Sequence, residues 1–335
     1  MNVTIRTRLL AAAAIAGSMG LASRVYTQQP SFGFAQDAPS VSRGAPAEIN
    51  AFHVQGNVYL LVGAGGNIAV QTGDEGVLVV DTGLAANADK LIAAIRKLSD
   101  KPIRWILNTH FHPDHTGGNE ALSKAGSKTN GGPAEVLSHE NVLTRMSAPA
   151  GRQSSAPAAA WPTDTYSTDE KDIYFNGEAV MLYHEPNAHT DGDSIIFFRK
   201  SDVVVAGDTF VTTSYPFIDQ ANGGSIQGEL NALNRILDIT VPAHEQEGGT
   251  FVIPGHGRIC DEADVLEYRD MVTIVRDRIA DMVKRKLTLD QVKAAKPTLD
   301  YDLHYGSTTG FVTTAGFIEA VYKDLSNPQG KPRVR

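Results

Sequence analysis

His110-Phe111-His112-Pro113-Asp114-His115 decides how this chain is read. Three imidazoles and one carboxylate fall within six residues, directly after the apolar run Trp105-Ile106-Leu107. Imidazole and carboxylate are the ligand types that suit zinc. In extended backbone, residues i and i+2 point the same way, so His110 and His112 can grip one ion from one side. Pro113 cannot continue a hydrogen-bond ladder and turns the chain. Asp114 and His115 then face elsewhere, which suits a second ion close to the first. Thr116-Gly117-Gly118-Asn119 follows as a turn that lets a helix begin.

Further ligand candidates lie downstream. His189 sits in the polar turn Asn187-Ala188-His189-Thr190-Asp191-Gly192-Asp193, ahead of Ile195-Ile196-Phe197-Phe198. Asp208 follows Val203-Val204-Val205-Ala206-Gly207, and His256 follows Phe251-Val252-Ile253-Pro254-Gly255. Each is expected at the carboxyl end of a short strand beside glycine, where side chains reach a shared edge while the backbone turns away.

With these residues in view, the chain resembles the metallo-β-lactamase superfamily of metallohydrolases. The matching residues are the H-x-H-x-D-H run at 110–115, His189, Asp208, His256 and the upstream Val79-Val80-Asp81-Thr82-Gly83, so the likeness spans roughly residues 50–260. The resemblance implies an α/β fold, an αββα four-layer sandwich, with a two-metal site along one edge of the packed sheets. It also implies that Asp81 supports the metal edge from behind the ligands. Taken alone, Asp81 reads equally well as a cap or turn residue.

The expected ligand sets are His110, His112 and His189 for one ion and Asp114, His115 and His256 for the other, with Asp208 bridging them. Two zinc ions are expected, with manganese and iron as the alternatives. A pair of ions held about 3.5–4 Å apart can share a hydroxide, because a bound dication lowers the pKa of water from about 15.7 towards about 7. Asp114 is expected to orient that nucleophile and accept its proton. The expected reaction is zinc-dependent hydrolysis of a small amide or ester, first a β-lactam or lactone ring. A glyoxalase II-like thioester hydrolase or another ester hydrolase is the alternative, and a non-catalytic metal-binding module is a third. Asp208 is what divides the first two: the familiar β-lactamases of the superfamily carry Cys or Ser there, whereas a bridging Asp resembles glyoxalase II, lactonases and sulfatases. Flavodiiron oxidoreductases resemble this fold as well, but they carry Glu where His112 stands and need a flavin domain.

Working back to the start, residues 1–22 read as an export signal. Arg6 and Arg8 precede an Ala-rich apolar core from Leu9 to Leu21. That core is shorter than the ~20 residues a membrane span needs. Residues 23–47, rich in Ser, Gln, Pro and Ala, read as a linker. The expectation is therefore an exported protein, periplasmic or secreted, with a catalytic domain over 48–260. Composition fits an ordinary globular chain, 42% hydrophobic and 20% charged. A net charge of −8 argues against nucleic acid or an anionic membrane as partner and leaves a small-molecule substrate. The lone cysteine, Cys260, excludes an intrachain disulfide, so core and metals must hold the fold.

From Phe52 the chain reads as a strand meander with hairpin turns. Asn87 to Ser99 has helical periodicity and leads into the strand that ends at His110. His139 is expected near a helix start and His184 in a structural role. Asn176-Gly177 marks a hairpin. Ala148 to Pro162 reads as a loop, with Trp161 anchoring it. Tyr215 and Phe217 could wall a substrate entrance, but aromatic loop residues more often pack than bind. His244 is expected to be solvated. Residues 261–335 read as a helical extension packed on the domain, with a long helix over 262–286, capping-box spacing at Thr288 and Gln291, and a last helix over 313–325.

Overall fold

Val77, Leu78, Val79 and Val80 show how the layers arise. Val77 and Val79 join one apolar cluster with helical residues, while Leu78 and Val80 face a second cluster made between two sheets. Side chains alternate across a strand, so a strand apolar at every position is buried on both faces. Ile195 and Phe197 against Ile196 and Phe198 repeat the device in the second sheet.

The computed structural model describes residues 48–148, 156–246 and 248–327. The expected signal (1–22) and linker (23–47) lie outside the described residues, as does part of the expected 148–162 loop.

The first sheet has seven strands in chain order: β1 (Asn50–Gln55), β2 (Val58–Val62), β3 (Ile68–Gly73), β4 (Gly76–Val80), β5 (Ile103–Leu107), β6 (Glu135–His139) and β7 (Asp164–Tyr166). β1 to β4 pair antiparallel and β4 to β7 parallel. The second sheet holds β8 (Glu170–Phe175), β9 (Glu178–Glu185), β10 (Asp193–Phe198), β11 (Val203–Val211) and β12 (Phe251–His256), with only β11–β12 parallel. Asn176 and Gly177 both take positive φ in the β8–β9 turn, as a two-residue hairpin requires.

Helices α1 (Ala88–Leu98), α2 (Pro113–Thr116), α3 (Asn119–Ala125) and α4 (Glu140–Ser147) accompany the first sheet. Leu91 and Ile95 of α1 and Leu122 of α3 fill its outer face. Helices α5 (Ile226–Ile239), α6 (Glu262–Lys284), α7 (Leu289–Ala295), α8 (Asp302–Tyr305) and α9 (Thr314–Ser326) cover the second. Their apolar residues, such as Leu233, Met271, Val292 and Phe317, share one core with Ile195 and Val204. The order of layers is thus helix, sheet, sheet, helix, with the C-terminal extension thickening one outer layer. Capping boxes at Asp261 and Thr288 start α6 and α7. No helix among the described residues is long and apolar enough to cross a membrane.

The two sheets are tied where the strands end. Asn67, just before β3, donates its backbone N–H to Gly255 O at 2.8 Å and its side-chain amide to Pro254 O at 2.8 Å. Ser194 of β10 donates to Thr109 O at 2.8 Å. Several expectations need adjustment here. Asp208 lies inside β11, beside a break in its register with β12, and His189 lies in the turn ahead of β10, so not every ligand candidate ends a strand. Tyr215 is fully buried under the extension and lines no entrance. His139 caps α4 and stacks on His184 at 3.5 Å, and neither belongs to a group of metal-ligand atoms among the described residues. Trp161 donates to Ala156 O at 3.0 Å, anchoring its segment, and His244 is solvent-exposed.

Candidate metal centre

Seven side chains from four separate stretches of the sequence meet at this edge. They fall into two groups of ligand atoms: His110, His112, His189 and Asp208 in one, Asp114, His115 and His256 in the other. Nε2 of His110 and Nε2 of His189 lie 3.1 and 2.9 Å from Nδ1 of His112. In the second group, Asp114 Oδ2 is 3.7 Å from His115 Nε2 and 3.3 Å from His256 Nε2.

Asp208 faces both groups. Its Oδ2 lies 4.0 and 3.8 Å from the Nε2 atoms of His110 and His189, while its Oδ1 lies 3.2 and 3.5 Å from those of His115 and His256. A carboxylate divided this way has one oxygen for each of two cations.

The outer nitrogens explain why the inner ones point inward. His115 Nδ1 donates to Asp81 Oδ2 at 2.8 Å. His110 Nδ1 is 3.0 Å from Thr109 Oγ1, which donates in turn to Asp81 Oδ2 at 2.7 Å. His189 Nδ1 donates to the Phe217 carbonyl at 2.6 Å, and His112 Nε2 to Asp219 Oδ2 at 3.0 Å. With its outer N–H so engaged, each imidazole keeps its remaining lone pair for the centre. Asp81 does this from a left-handed backbone, φ 64°, an uncommon conformation for a non-glycine residue, and its Oδ1 accepts the Thr109 N–H at 2.8 Å. The bend and the three bonds turn Asp81 under the ligands.

The electrostatics favour the ligand forms of His110, His189 and Asp208, whereas His115 must give up a proton to bind a cation. Burial, reinforced by the neighbouring imidazoles His115 and His189, holds His110 well below the usual histidine range. Burial likewise drops His189 to about 4. Burial opposes the charge on Asp208, but the surrounding imidazoles, His115 first, outweigh it and hold the carboxyl well below its ordinary value. For His115, burial is outweighed by the carboxylates of Asp208 and Asp81, which raise its pKa well above normal. A basic imidazole between two carboxylates is a strong donor to a cation.

A cation pair fits these residues. His115 Nε2 and Asp208 Oδ1 are buried and neither makes a hydrogen bond, although they lie 3.2 Å apart. Orphaned polar atoms are costly when buried and require a partner. The space is also kept free of carbon. A methyl group on Gly255 would fall on Asp208 Oδ1, and one on Gly66 would fall on the His115 ring. The site is thus a binuclear metal-binding site of His and Asp ligands, and its donor set suits zinc, manganese or iron.

Sequence reasoning missed three supports, Thr109 beside His110 and two further along the chain. Asp219 belongs to a segment without periodicity, and the Phe217 carbonyl is backbone, which no side-chain pattern reveals. Both lie on the segment that leaves β11, and that segment is held by the extension. Tyr215 stacks on Phe317 with ring centroids 4.8 Å apart and donates to Asp302 Oδ1 at 2.8 Å. Tyr268 OH donates to Ser214 O at 3.3 Å.

A family model described as the metallo-beta-lactamase superfamily matches residues 53–256. The chain is similar to a linear primary-alkylsulfatase of Pseudomonas sp., 25% identical over 65% of this chain and 47% of that protein. It thus spans about half the length of that relative. It is also 25% identical to a hydroxyacylglutathione hydrolase of Prochlorococcus marinus, over 50% of this chain and 60% of that one. Among solved structures, the sec-alkylsulfatase Pisa1 of Pseudomonas sp. superposes with TM-score 0.60 at 17% identity over 84% of this chain and 52% of that one. A metallo-beta-lactamase from Pontibacter korlensis gives TM-score 0.53 at 16% identity over 67% and 99%. These two likenesses concern the fold.

Proposed function

The chain belongs to the metallo-beta-lactamase superfamily, and we propose that it is a metal-dependent hydrolase that cleaves an ester or thioester rather than a β-lactam ring. The observation that carries this reading is Asp208, whose two oxygens face the two ligand groups. The β-lactamases that the sequence first suggested carry Cys or Ser at this place. Sulfate esters are a second reading, favoured by the likeness to the linear primary-alkylsulfatase.

The histidine-rich donor set favours two zinc ions. When bound, such a pair polarises the scissile group and brings the ionisation of water into the neutral range. The protein's own part is to hold and move protons. Burial opposes ionisation of Asp114, but the hydrogen bond from His256 and the charge of His115 outweigh it, so its carboxyl stays below the ordinary value. Asp114 Oδ2 would therefore take the proton of the attacking water as its oxygen bonds to the electrophilic centre. The same proton would pass to the alkoxide or thiolate as the bond to the leaving group breaks. Asp81, Thr109 and Asp219 would keep the imidazoles oriented throughout.

An export signal over residues 1–22 would place this activity in the periplasm or outside the cell, and the mass of the mature chain tests that. The main experiment is a substrate panel on zinc-reconstituted protein: S-lactoylglutathione, p-nitrophenyl acetate and butyrate, octyl sulfate and nitrocefin, with His112→Ala as control. Turnover of an ester or thioester above the control is expected. Turnover of nitrocefin alone, or of nothing, would overturn the reading.

A further inference from the structure

The geometry points to an apolar subsite built by Phe217 and Phe311, which would receive an alkyl or aromatic group attached to the scissile bond. This inference deepens the ester reading and rests on it for the reaction, though not for binding.

Phe217 is fixed by the metal edge itself, since its carbonyl accepts the His189 N–H at 2.6 Å. Its ring centroid lies 6.0 Å from that of His112 and 5.6 Å from that of His189. Phe311 comes from the C-terminal extension, more than ninety positions later, and meets Phe217 edge to face at 4.6 Å. Phe311 nevertheless leaves 81% of its surface exposed. Scattered exposed apolar residues are ordinary, but this one continues a chain of ring contacts that begins at two metal-ligand imidazoles.

Its segment is also built to hold it out. Ser307 and Thr314 bond reciprocally, Thr314 N to Ser307 O at 2.8 Å and Ser307 N to Thr314 Oγ1 at 3.1 Å. Inside that closure, Ser307 Oγ donates to Thr309 O at 2.6 Å. The loop is thus closed at its base, with Phe311 carried between the bonded ends. The two aromatic rings flank the site on the His112 side. The scissile group would sit at the open side, where Asp114 and His256 reach solvent, with its apolar substituent laid along Phe217 and Phe311.

The test uses straight-chain carboxylates, acetate, butyrate, hexanoate and octanoate, whose shared head group separates metal binding from chain binding. Calorimetry on the zinc-reconstituted full chain should show affinity rising with length, up to about fourfold per methylene covered. Phe311→Ala should flatten that rise while Phe311→Leu retains most of it, with zinc content equal in all three proteins. A flat series in the wild type, or the same slope in Phe311→Ala, would overturn the subsite. The matching series of p-nitrophenyl esters separates the two claims. Length-dependent binding without ester turnover would break the ester reading and leave the subsite, whereas turnover with a flat binding series would do the reverse.

Discussion

The two ligand groups of the metal edge are not built alike. In the first, His110 and His189 are fully buried, His112 is 16% exposed, and all three have their outer nitrogens engaged by fixed acceptors. In the second, His115 is fully buried, but Asp114 and His256 are 35% and 34% exposed. An enclosed, over-determined group suits tight holding of an ion. A group with two ligands open to solvent suits exchange of water, substrate and product. The difference teaches that affinity and turnover should be separable by mutation, and it orders the effects expected.

Asp208→Ala removes the one side chain the groups share and should be the largest loss. Turnover should fall by about a thousandfold or more, with bound metal reduced in elemental analysis. Asp114→Asn strikes the open group only. It should lower kcat by about a hundredfold while the tightest metal-binding step, measured by chelator competition, stays as in the wild type. Asp219→Asn strikes the closed group from behind by weakening the hold on His112. Metal affinity should fall by about tenfold to a hundredfold, and kcat at saturating zinc should change much less than in Asp114→Asn. Tyr215→Phe is the mildest. It keeps the stack on Phe317 and loses the hydrogen bonds to Asp302 and Thr298. Chemical denaturation should show a loss of about 1 kcal/mol, with metal affinity lowered by less than in Asp219→Asn. Equal loss of affinity in Asp114→Asn and Asp219→Asn would erase the distinction between the halves.

Much of this edge was legible in the sequence because ligands are chemically conspicuous. The H-x-H-x-D-H spacing pointed to His110, His112, Asp114 and His115, polar residues beside glycine pointed to His189, Asp208 and His256, and these are the residues that meet. The layers were legible through the resemblance those residues carry, and the run Val77 to Val80, buried on both faces, agrees with it. The supports were less visible. Thr109 and Asp219 are ordinary polar residues until folding brings Asp81 and His112 to them, and the Phe217 carbonyl has no sequence signature at all. Tyr215 took the commoner of the two uses open to a loop aromatic, packing rather than walling an entrance. Its hydroxyl instead found partners in an extension more than eighty residues away, at Thr298 and Asp302. Long-range packing of this kind leaves no local period to read.

The claim on which the rest depends is that one carboxylate joins two metal positions. Its most direct test is a metal count by elemental analysis on protein stripped of metal, reloaded with zinc and desalted. The account predicts two zinc ions per wild-type chain and at most one in Asp208→Ala. A single ion per wild-type chain, or two retained in the variant, would contradict it.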